Sequence, residues 1–353
     1  MRPTDIARKL IRPSTYPRLW WRIRHATSKY SDQLAAEKRF YNACESVHEL
    51  PEIYHYWSDK YVRPKLEQFG VSHPDAFFAK GLEAAYLASP RRHRAFLSIG
   101  AGNCDTEVRL AQGLLRKGHS EFRIECLELN EETLARGRAH AAAAQVFDRL
   151  DMVSADFNTW QPTKAYDAVI ANQSLHHVLN LKGLFRGIAQ CLDSTGQFLT
   201  SDMIGRNGHM RWPEALAIVH EYWRELPTQY RYNNQLRRHE ELYENWDCSK
   251  EGFEGIRAQD ILPLLIKRFQ FDIFVGFGNV IDPFVDRAFG HNFDPKRDWD
   301  REFIDRVHIR DEMELASGSI KPTHMIAALC VGREGENRLI NGMTPNSCVR
   351  VPD

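Results

Sequence analysis

The sequence has no pair of cysteines in CxxC spacing, and its seven cysteines are scattered along 353 residues. Zinc ribbons and disulfide scaffolds are therefore disfavoured, and scattered reduced thiols favour a cytoplasmic protein. No apolar run approaches the roughly 18–20 residues that a membrane-spanning helix needs. Net charge is also missing, because 47 basic residues balance 47 acidic ones. This balance excludes a heavily basic coat for nucleic acid and a protein of the acidic-tail type.

The zero net charge conceals an uneven distribution. Residues 1–40 contain ten Lys or Arg and three Asp or Glu, so this basic arm carries +7 and the rest of the chain −7. Aromatic residues are interleaved with the charges, at Tyr16, Trp20, Trp21 and Tyr30. We expect a solvated arm that docks on the acidic body. Peripheral membrane contact, a transit peptide and nucleic-acid binding remain alternatives.

Short apolar runs alternate with helical patterns in the first part of the body, which predicts an α/β fold with a parallel sheet covered on both faces. Strand patterns return twice near the C-terminus. The predicted strands are Ala95–Ile99, Arg123–Leu127, Asp151–Ser154, Tyr166–Ala171, Gln197–Ser201, Phe271–Phe277 and His324–Val331. We divide the chain into a basic arm and helical cap (1–90), a cofactor-binding core (91–204), a helical substrate lid (205–257), the C-terminal part of the sheet with an inserted lid loop at 279–318 (258–332), and a flexible tail (333–353).

A glycine turn follows the first strand at Gly100 and Gly102. Glycines there let a ligand approach the backbone where a helix begins. A dinucleotide fingerprint would have a third glycine where this chain has Asp105, and that carboxylate would repel a pyrophosphate. The turn therefore predicts binding of a nucleoside without phosphates.

Two acidic residues at the ends of the next strands complete this prediction. Glu128 ends the second strand and can accept hydrogen bonds from both ribose hydroxyls. Asp156 follows the third strand and can accept the amine of adenine, while Phe157 can cover the face of the ring. A helix-dipole partner at Glu128 and a plain turn at Asp156 are the structural alternatives. Together the three positions predict an adenosine pocket.

With these motifs in order, residues 95–202 resemble the class I, Rossmann-like S-adenosylmethionine-dependent methyltransferases of the small-molecule type. The resemblance implies a seven-stranded, mostly parallel doubly wound sheet whose last two strands form a reversed hairpin. It also implies S-adenosylmethionine as the cofactor. The residues it assigns to cofactor binding are Ser98, Gly100, Ala101, Gly102, Asn103, Glu128, Leu129, Asp156, Phe157 and Asn172.

Two positions depart from that family pattern. Ser98 stands where an acid usually orients the methionine amino group, and Cys104 stands where a third glycine is usual. Asp105 or Asn172 could supply the contact to the amino group instead. The same departures support a rival hypothesis, a scaffold or regulator with this fold and no catalysis.

Several markers of nucleic-acid methylation are missing. The segment Ala171-Asn172-Gln173-Ser174 lacks the Pro-Pro of amino-group methyltransferases, and there is no Pro-Cys dipeptide and no Cys-x3-Cys-x2-Cys cluster. With an acidic body, we expect no nucleic-acid partner. We expect a polar small-molecule acceptor instead, with O-methylation of a sugar, glycolipid or secondary metabolite favoured. An RNA methyltransferase that uses the basic arm is the remaining alternative, and the oligomeric state is left open.

The segments after the fifth and sixth strands should form a two-part lid over the cofactor edge. They are rich in groups that stack on rings or bind polyols, although packing within the lid is an equal alternative for each. The substrate candidates are Trp212, Glu221, Tyr222, Tyr232, Arg287 and His291.

A hydroxyl acceptor needs a base. The candidates are His176 and His177 just past the fourth strand, Asp202 at the end of the fifth, and His209 in the lid. Capping or packing is the alternative role for the two adjacent histidines. No HxxxH or HxH spacing supports a metal site, and none is predicted, although Asp202 and these histidines could converge on a metal ion.

Overall fold

In a computed structural model, the structure describes Tyr30, residues 50–250 and residues 252–350. Apart from Tyr30, the basic arm and the membrane contact predicted for it lie outside these residues. Among the described residues, no helix combines the length and the apolar character needed to cross a membrane. None of the six cysteines in this part of the chain forms a disulfide.

The body alternates strands and helices as predicted. The strands are β1 Arg94–Ile99, β2 Phe122–Glu128, β3 Leu150–Ser154, β4 Tyr166–Asn172, β5 Leu192–Met203, β6 Tyr232–Asn233, β7 Arg238–His239, β8 Gln270–Phe277, β9 His324–Cys330 and β10 Arg338–Leu339. The helices are α1 Glu52–Trp57, α2 Arg63–Glu67, α3 Pro74–Ala88, α4 Asp105–Arg116, α5 Glu131–Ala143, α6 Leu181–Cys191, α7 Pro213–Glu225, α8 Ala258–Ile266, α9 Asp282–Val285 and α10 Asp298–Ser317.

The main sheet has the strand order β10-β8-β9-β5-β4-β1-β2-β3. β1 to β5 pair in parallel, whereas β9 runs antiparallel between β5 and β8. The fold class and the reversed hairpin at the end of the sheet are therefore confirmed. Because β1 to β5 share one direction, their carboxyl ends lie along one edge, where ligands of doubly wound sheets bind.

The sheet has eight strands rather than seven, because the segment expected to be a flexible tail adds one. Arg338 and Leu339 pair in parallel with Ile273 and Phe274 of β8. Ile340 and Cys348 are each 4% exposed. Residues 338–348 differ from the expected frayed tail, because Ile340 and Cys348 are buried and the partly exposed Leu339 and Met343 pack against the core.

Helices cover both faces of the sheet, and side-chain caps mark where several begin. Asn130 accepts a hydrogen bond from the Glu132 N–H at the start of α5. Asn180 caps α6 in the same way through Gly183 N–H. On the opposite face, α3 packs so closely that a Cβ on Gly81 would lie 2.4 Å from Leu199 of β5.

Two insertions lie beyond the carboxyl edge. The first, after β5, contains α7 and the small hairpin β6–β7. The second, expected to be a lid loop at 279–318, instead contains the 20-residue helix α10. Its spaced apolar residues Phe303, Ile304 and Val307 are buried, which explains the helix: this face packs on the lid while charged residues cover the other.

Candidate active site

The glycine turn after β1 is open on one side. Gly100 and Gly102 adopt φ angles of +71° and +54°, in the left-handed region that favours glycine. A Cβ on Gly102 would have no heavy atom within 4 Å. Space therefore lies next to the backbone at Gly102, where the sequence predicts the cofactor.

Glu128 is held at the tip of β2 by backbone donors. Its Oε2 accepts from Gly102 N–H at 3.0 Å, and its Oε1 accepts from Leu129 N–H at 2.8 Å and Asn130 N–H at 3.0 Å. Burial raises the pKa of this carboxyl, although the backbone donors oppose the shift. The carboxylate is thus fixed beside the glycine turn, where it can accept from ribose hydroxyls.

Asp156 has a partner that the sequence analysis did not assign to the site. Its Oδ2 accepts a hydrogen bond from the Tyr30 hydroxyl at 2.6 Å, and its Oδ1 accepts from Asn158 N–H at 2.9 Å. The Tyr30 ring also lies 5.5 Å from that of Phe253. Tyr30 was identified only as an aromatic residue of the basic arm, and nothing in the local sequence indicates this contact.

The remaining cofactor candidates lie on the same edge but differ in what their groups contact. The Ser98 hydroxyl donates to Glu107 Oε1 at 2.6 Å, and burial raises the pKa of Glu107 to about 7. Ala101 N–H donates to the carbonyl of Leu127. The Asn103 side chain accepts from Arg136, Phe157 packs against the core, and Asn172 pairs with Ser201 at the end of β4.

His176 and Asp202 meet at the ends of β4 and β5. His176 Nδ1 lies 2.7 Å from Asp202 Oδ1, and both side chains are buried. Asp202 also accepts from the backbone N–H groups of Ser174, Leu175 and Met203. Burial lowers the pKa of His176, but the two carboxylates beside it outweigh that effect and raise it to about 10.

Glu254 brings the three candidate histidines together. Its Oε1 lies 2.6 Å from His209 Nε2 and 3.3 Å from His176 Nε2, and its Oε2 lies 3.5 Å from His177 Nε2. Burial opposes the charge on Glu254, but the imidazoles hold the pKa of this carboxyl well below its usual range. Burial outweighs the carboxylate at His209 and lowers its pKa. We call His176, His177, His209 and Glu254 the histidine cluster.

No sequence pattern indicates a role for Glu254, which lies in a loop 45 residues beyond His209. The loop is anchored where Ile256 N–H donates to the carbonyl of His176 at 3.1 Å. Tertiary folding alone therefore completes the cluster.

The histidine cluster adjoins the glycine turn through Ser174. The Ser174 hydroxyl donates to the carbonyl of Ile99 at 2.7 Å. A Cβ on Gly100 would lie 2.5 Å from the Ser174 Cβ. The turn after β4, which carries His176, thus packs directly on the predicted cofactor turn.

Trp212, Glu221 and Tyr222 contact other residues of the lid, and Trp212 also contacts Arg350 near the C-terminus. The guanidinium groups of Arg206 and Arg350 lie 4.9 and 4.8 Å from the ring centroid of Trp212, so this ring serves packing. Glu221 pairs with Arg310, and Tyr222 donates to the Arg306 carbonyl, both across the α7–α10 contact. Tyr232 lies in the β6–β7 hairpin, and Arg287 and His291 are exposed near the turn after α9.

A buried ion pair connects the first insertion to α9, which follows β8 at the sheet edge. Arg211, 4% exposed, donates to Asp282 Oδ2 at 2.5 Å and to the Asn279 carbonyl at 2.7 Å. Its other amino group donates to the His209 carbonyl at 3.0 Å. Arg211 therefore fixes the backbone that presents His209. Sequence analysis missed this residue because only the fold brings Asp282 to it.

Comparisons with known proteins concern mainly the core. Residues 97–198 match the family model described as a methyltransferase domain. A tRNA1(Val) (adenine(37)-N6)-methyltransferase of Klebsiella pneumoniae (strain 342) is 32% identical over 112 residues, covering 30% of this chain and 44% of that protein. A trans-aconitate 2-methyltransferase of Acidovorax sp. (strain JS42) is 28% identical over 188 residues, covering 53% and 58%.

The chain thus spans about half the length of the curated relatives it matches. Among solved structures, it is similar to the O-methyltransferase from a trans-AT PKS multienzyme of Brevibacillus brevis in complex with S-adenosyl-L-homocysteine. That likeness has 14% identity and a TM-score of 0.39, and it covers 76% of this chain and 75% of the other.

Proposed function

We propose that the protein uses S-adenosylmethionine to methylate a hydroxyl oxygen of a polar small molecule, because residues 97–198 match a methyltransferase domain. A sugar, glycolipid or secondary metabolite is the favoured class. The observation that carries this proposal is the histidine cluster packed, through Ser174, on the glycine turn of the cofactor site. A hydroxyl acceptor requires such a group beside the methyl donor, whereas an amine does not.

The described residues fit S-adenosylmethionine. The open side of Gly102 leaves room at the backbone, Glu128 can accept from the ribose hydroxyls, and Asp156 can accept the adenine amine. The cofactor supplies a methyl group on a positively charged sulfur.

The chain's own contribution is position and proton removal. Bound S-adenosylmethionine would supply the methyl group, and the residues of this edge would hold the acceptor hydroxyl in line with it. The hydroxyl proton would pass to the histidine cluster, where burial lowers the pKa of His209 and favours its neutral form, and from there to water. Positioning of the two reactants supplies much of the rate, since an oriented reaction avoids the entropy of encounter.

The test has two parts, both on the full chain. Calorimetry should detect binding of S-adenosylhomocysteine, and its absence would exclude the enzyme in favour of a scaffold. Methyl-labelled S-adenosylmethionine, offered with pools of sugars, glycolipids and hydroxylated metabolites, should label an acceptor at oxygen. A product labelled at nitrogen or carbon would refute O-methylation.

A second candidate, RNA methylation, is favoured by one observation: several matched relatives are named as tRNA methyltransferases. The body opposes it, because residues 41–353 carry −7 and the segment Asn172-Gln173-Ser174 lacks prolines. If RNA is the substrate, the chain should bind RNA in a salt-sensitive manner that depends on residues 1–40. Binding to anionic vesicles through the same residues would support peripheral membrane contact instead.

A further inference from the structure

In the histidine cluster, three imidazole rings surround one carboxylate, that of Glu254. Three imidazole Nε2 atoms lie within 3.5 Å of the Glu254 oxygens. His176 faces a carboxylate on both sides, because its Nδ1 also meets Asp202. Without another cation, its ring must carry a proton on each nitrogen to satisfy both. A metal ion can replace the proton on Nε2.

The orientation of His176 suits metal binding. Asp202 holds the Nδ1–H, and Asp202 is itself fixed by three backbone N–H groups. The Nε2 lone pair then points towards the cluster. A carboxylate that orients a histidine in this way is the common outer partner of a metal-bound imidazole.

The ligand atoms are close enough to share one ion. One ligand atom from each of His176, His209 and Glu254 lies within 4.8 Å of the others. Ligands at about 2.0–2.1 Å from zinc in a tetrahedron lie roughly 3.3 Å apart. A small opening of the His209–Glu254 contact therefore admits the ion. Two imidazoles and one carboxylate suit zinc, iron or cobalt and leave a coordination position open.

A second group of similar composition lies on α10 and consists of His308, Asp311 and Glu312. The contacts of this group do not suit metal binding. Trp57 Nε1–H donates to His308 Nδ1 at 3.2 Å, so the neutral ring carries its proton on Nε2 and has no lone pair there. Lys65 Nζ lies 2.6 Å from Glu312 Oε2, so this carboxylate is already paired with a cation. This group stabilises the contact between α10 and the helical cap.

We propose that His176, His209 and Glu254 bind one divalent transition-metal ion of the zinc class, with its open position towards the methyl acceptor. The purpose of the site rests on the proposed function. A hydroxyl bound to such an ion loses its proton near neutral pH, and the proton goes to water. Sequence spacing gave no reason to expect this site, because its ligands come from three separate segments.

Cobalt(II) alone is the probe, added to full-length protein freed of metal with a chelator. We expect one Co²⁺ per chain with visible absorption typical of nitrogen and oxygen ligands, and displacement by Zn²⁺. Glu254→Gln and His209→Ala should each weaken binding at least 100-fold. Asp202→Asn should weaken it about 10–100-fold. Glu312→Gln, the matched control in the second group, should leave it unchanged.

Binding of S-adenosylhomocysteine to the same samples separates the two proposals and reports that each variant is folded. If the protein binds S-adenosylhomocysteine but not stoichiometric Co²⁺, the metal site is refuted and the methyltransferase stands. Binding of Co²⁺ that survives both Glu254→Gln and His209→Ala also refutes the site. Stoichiometric Co²⁺ lost in both variants supports it, even if no acceptor is methylated.

Discussion

The two sides of the sheet's carboxyl edge are built in different ways. On the side proposed to bind the cofactor, which we call the cofactor side, each candidate residue ends a strand or follows it within two residues: Gly100 after β1, Glu128 on β2 and Asp156 after β3. On the side proposed to bind the acceptor, which we call the acceptor side, His176, His209 and Glu254 come from three separate segments that the fold brings together. The cofactor side is therefore a property of local sequence, and the acceptor side a property of tertiary packing.

If this contrast is correct, each side can be broken without the other. The largest effect should come from Arg211→Met, because removing the cationic partner of a buried ion pair leaves the Asp282 carboxylate with only Thr323 and the more distant His324 beside it. The free energy of unfolding should fall by about 3–5 kcal/mol, while the folded fraction still binds S-adenosylhomocysteine. Urea unfolding with calorimetry measures both.

Arg310→Met is the control for this variant, because Arg310 forms its ion pairs on the surface and should contribute less than about 1 kcal/mol. If Arg211→Met costs no more than this control, Arg211 does not anchor the acceptor side. If it abolishes cofactor binding in folded protein, the two sides are not separable.

Glu107→Gln tests the interior of the cofactor side. The folded chain keeps the proton of Glu107 up to pH about 7, whereas the unfolded chain loses it above pH about 4.3. Between these values the folded state binds more protons, so stability falls as pH rises and the full penalty is present above pH 7. The free energy of unfolding of the variant should exceed that of the parent by about 3 kcal/mol at pH 8 and by little at pH 4.5.

Unfolding in urea at several pH values would check this dependence. A difference between variant and parent that stays constant across the range would show that Glu107 does not titrate upon unfolding as described.

Glu128→Ala should weaken binding of S-adenosylhomocysteine by about 1–3 kcal/mol, because a charged acceptor is lost. Binding of Co²⁺ to the histidine cluster should not change. The control is Glu131→Ala, since Glu131 contacts Arg138 on the surface of α5. Equal affinities for the two variants, measured by calorimetry, would remove Glu128 from the cofactor site.

Tyr30→Phe should have the smallest effect. The Tyr30 hydroxyl donates to the same Asp156 carboxylate that the adenine amine needs, so its removal should tighten binding of S-adenosylhomocysteine by up to about 1 kcal/mol. Weaker binding would mean that Tyr30 supports Asp156 rather than competing for it. Either result shows how the Tyr30 hydroxyl affects binding of the cofactor.

The sequence predicted the fold nearly in full because strand and helix periods are local. Each of the seven predicted strands is present. The strand at Arg338 and Leu339 was missed because two residues show no periodicity. Helix α10 was missed because its many charges conceal its spaced apolar residues.

Candidate site residues could be found from the sequence only where the residue type and its position relative to a strand together indicate one role. Glu128 and Asp156 follow from strand ends, and His176 with Asp202 follow from neighbouring strands. Glu254 and Arg211 carry no such signal, since a glutamate in a loop or an arginine before a helix is ordinary. Trp212 shows the converse: its type suggested ligand stacking, but two arginines cover it.

Strand β10 has a consequence for the behaviour of shortened chains. It covers the outer edge of β8, whose residues from Phe271 to Phe277 are all buried. An uncovered, apolar edge strand offers its backbone to any other chain and promotes aggregation. Removing residues 334–353 should therefore reduce the solubility of the protein and promote its association through β8. The effect on the candidate active site should be smaller. We therefore expect the C-terminal segment to limit self-association of the protein.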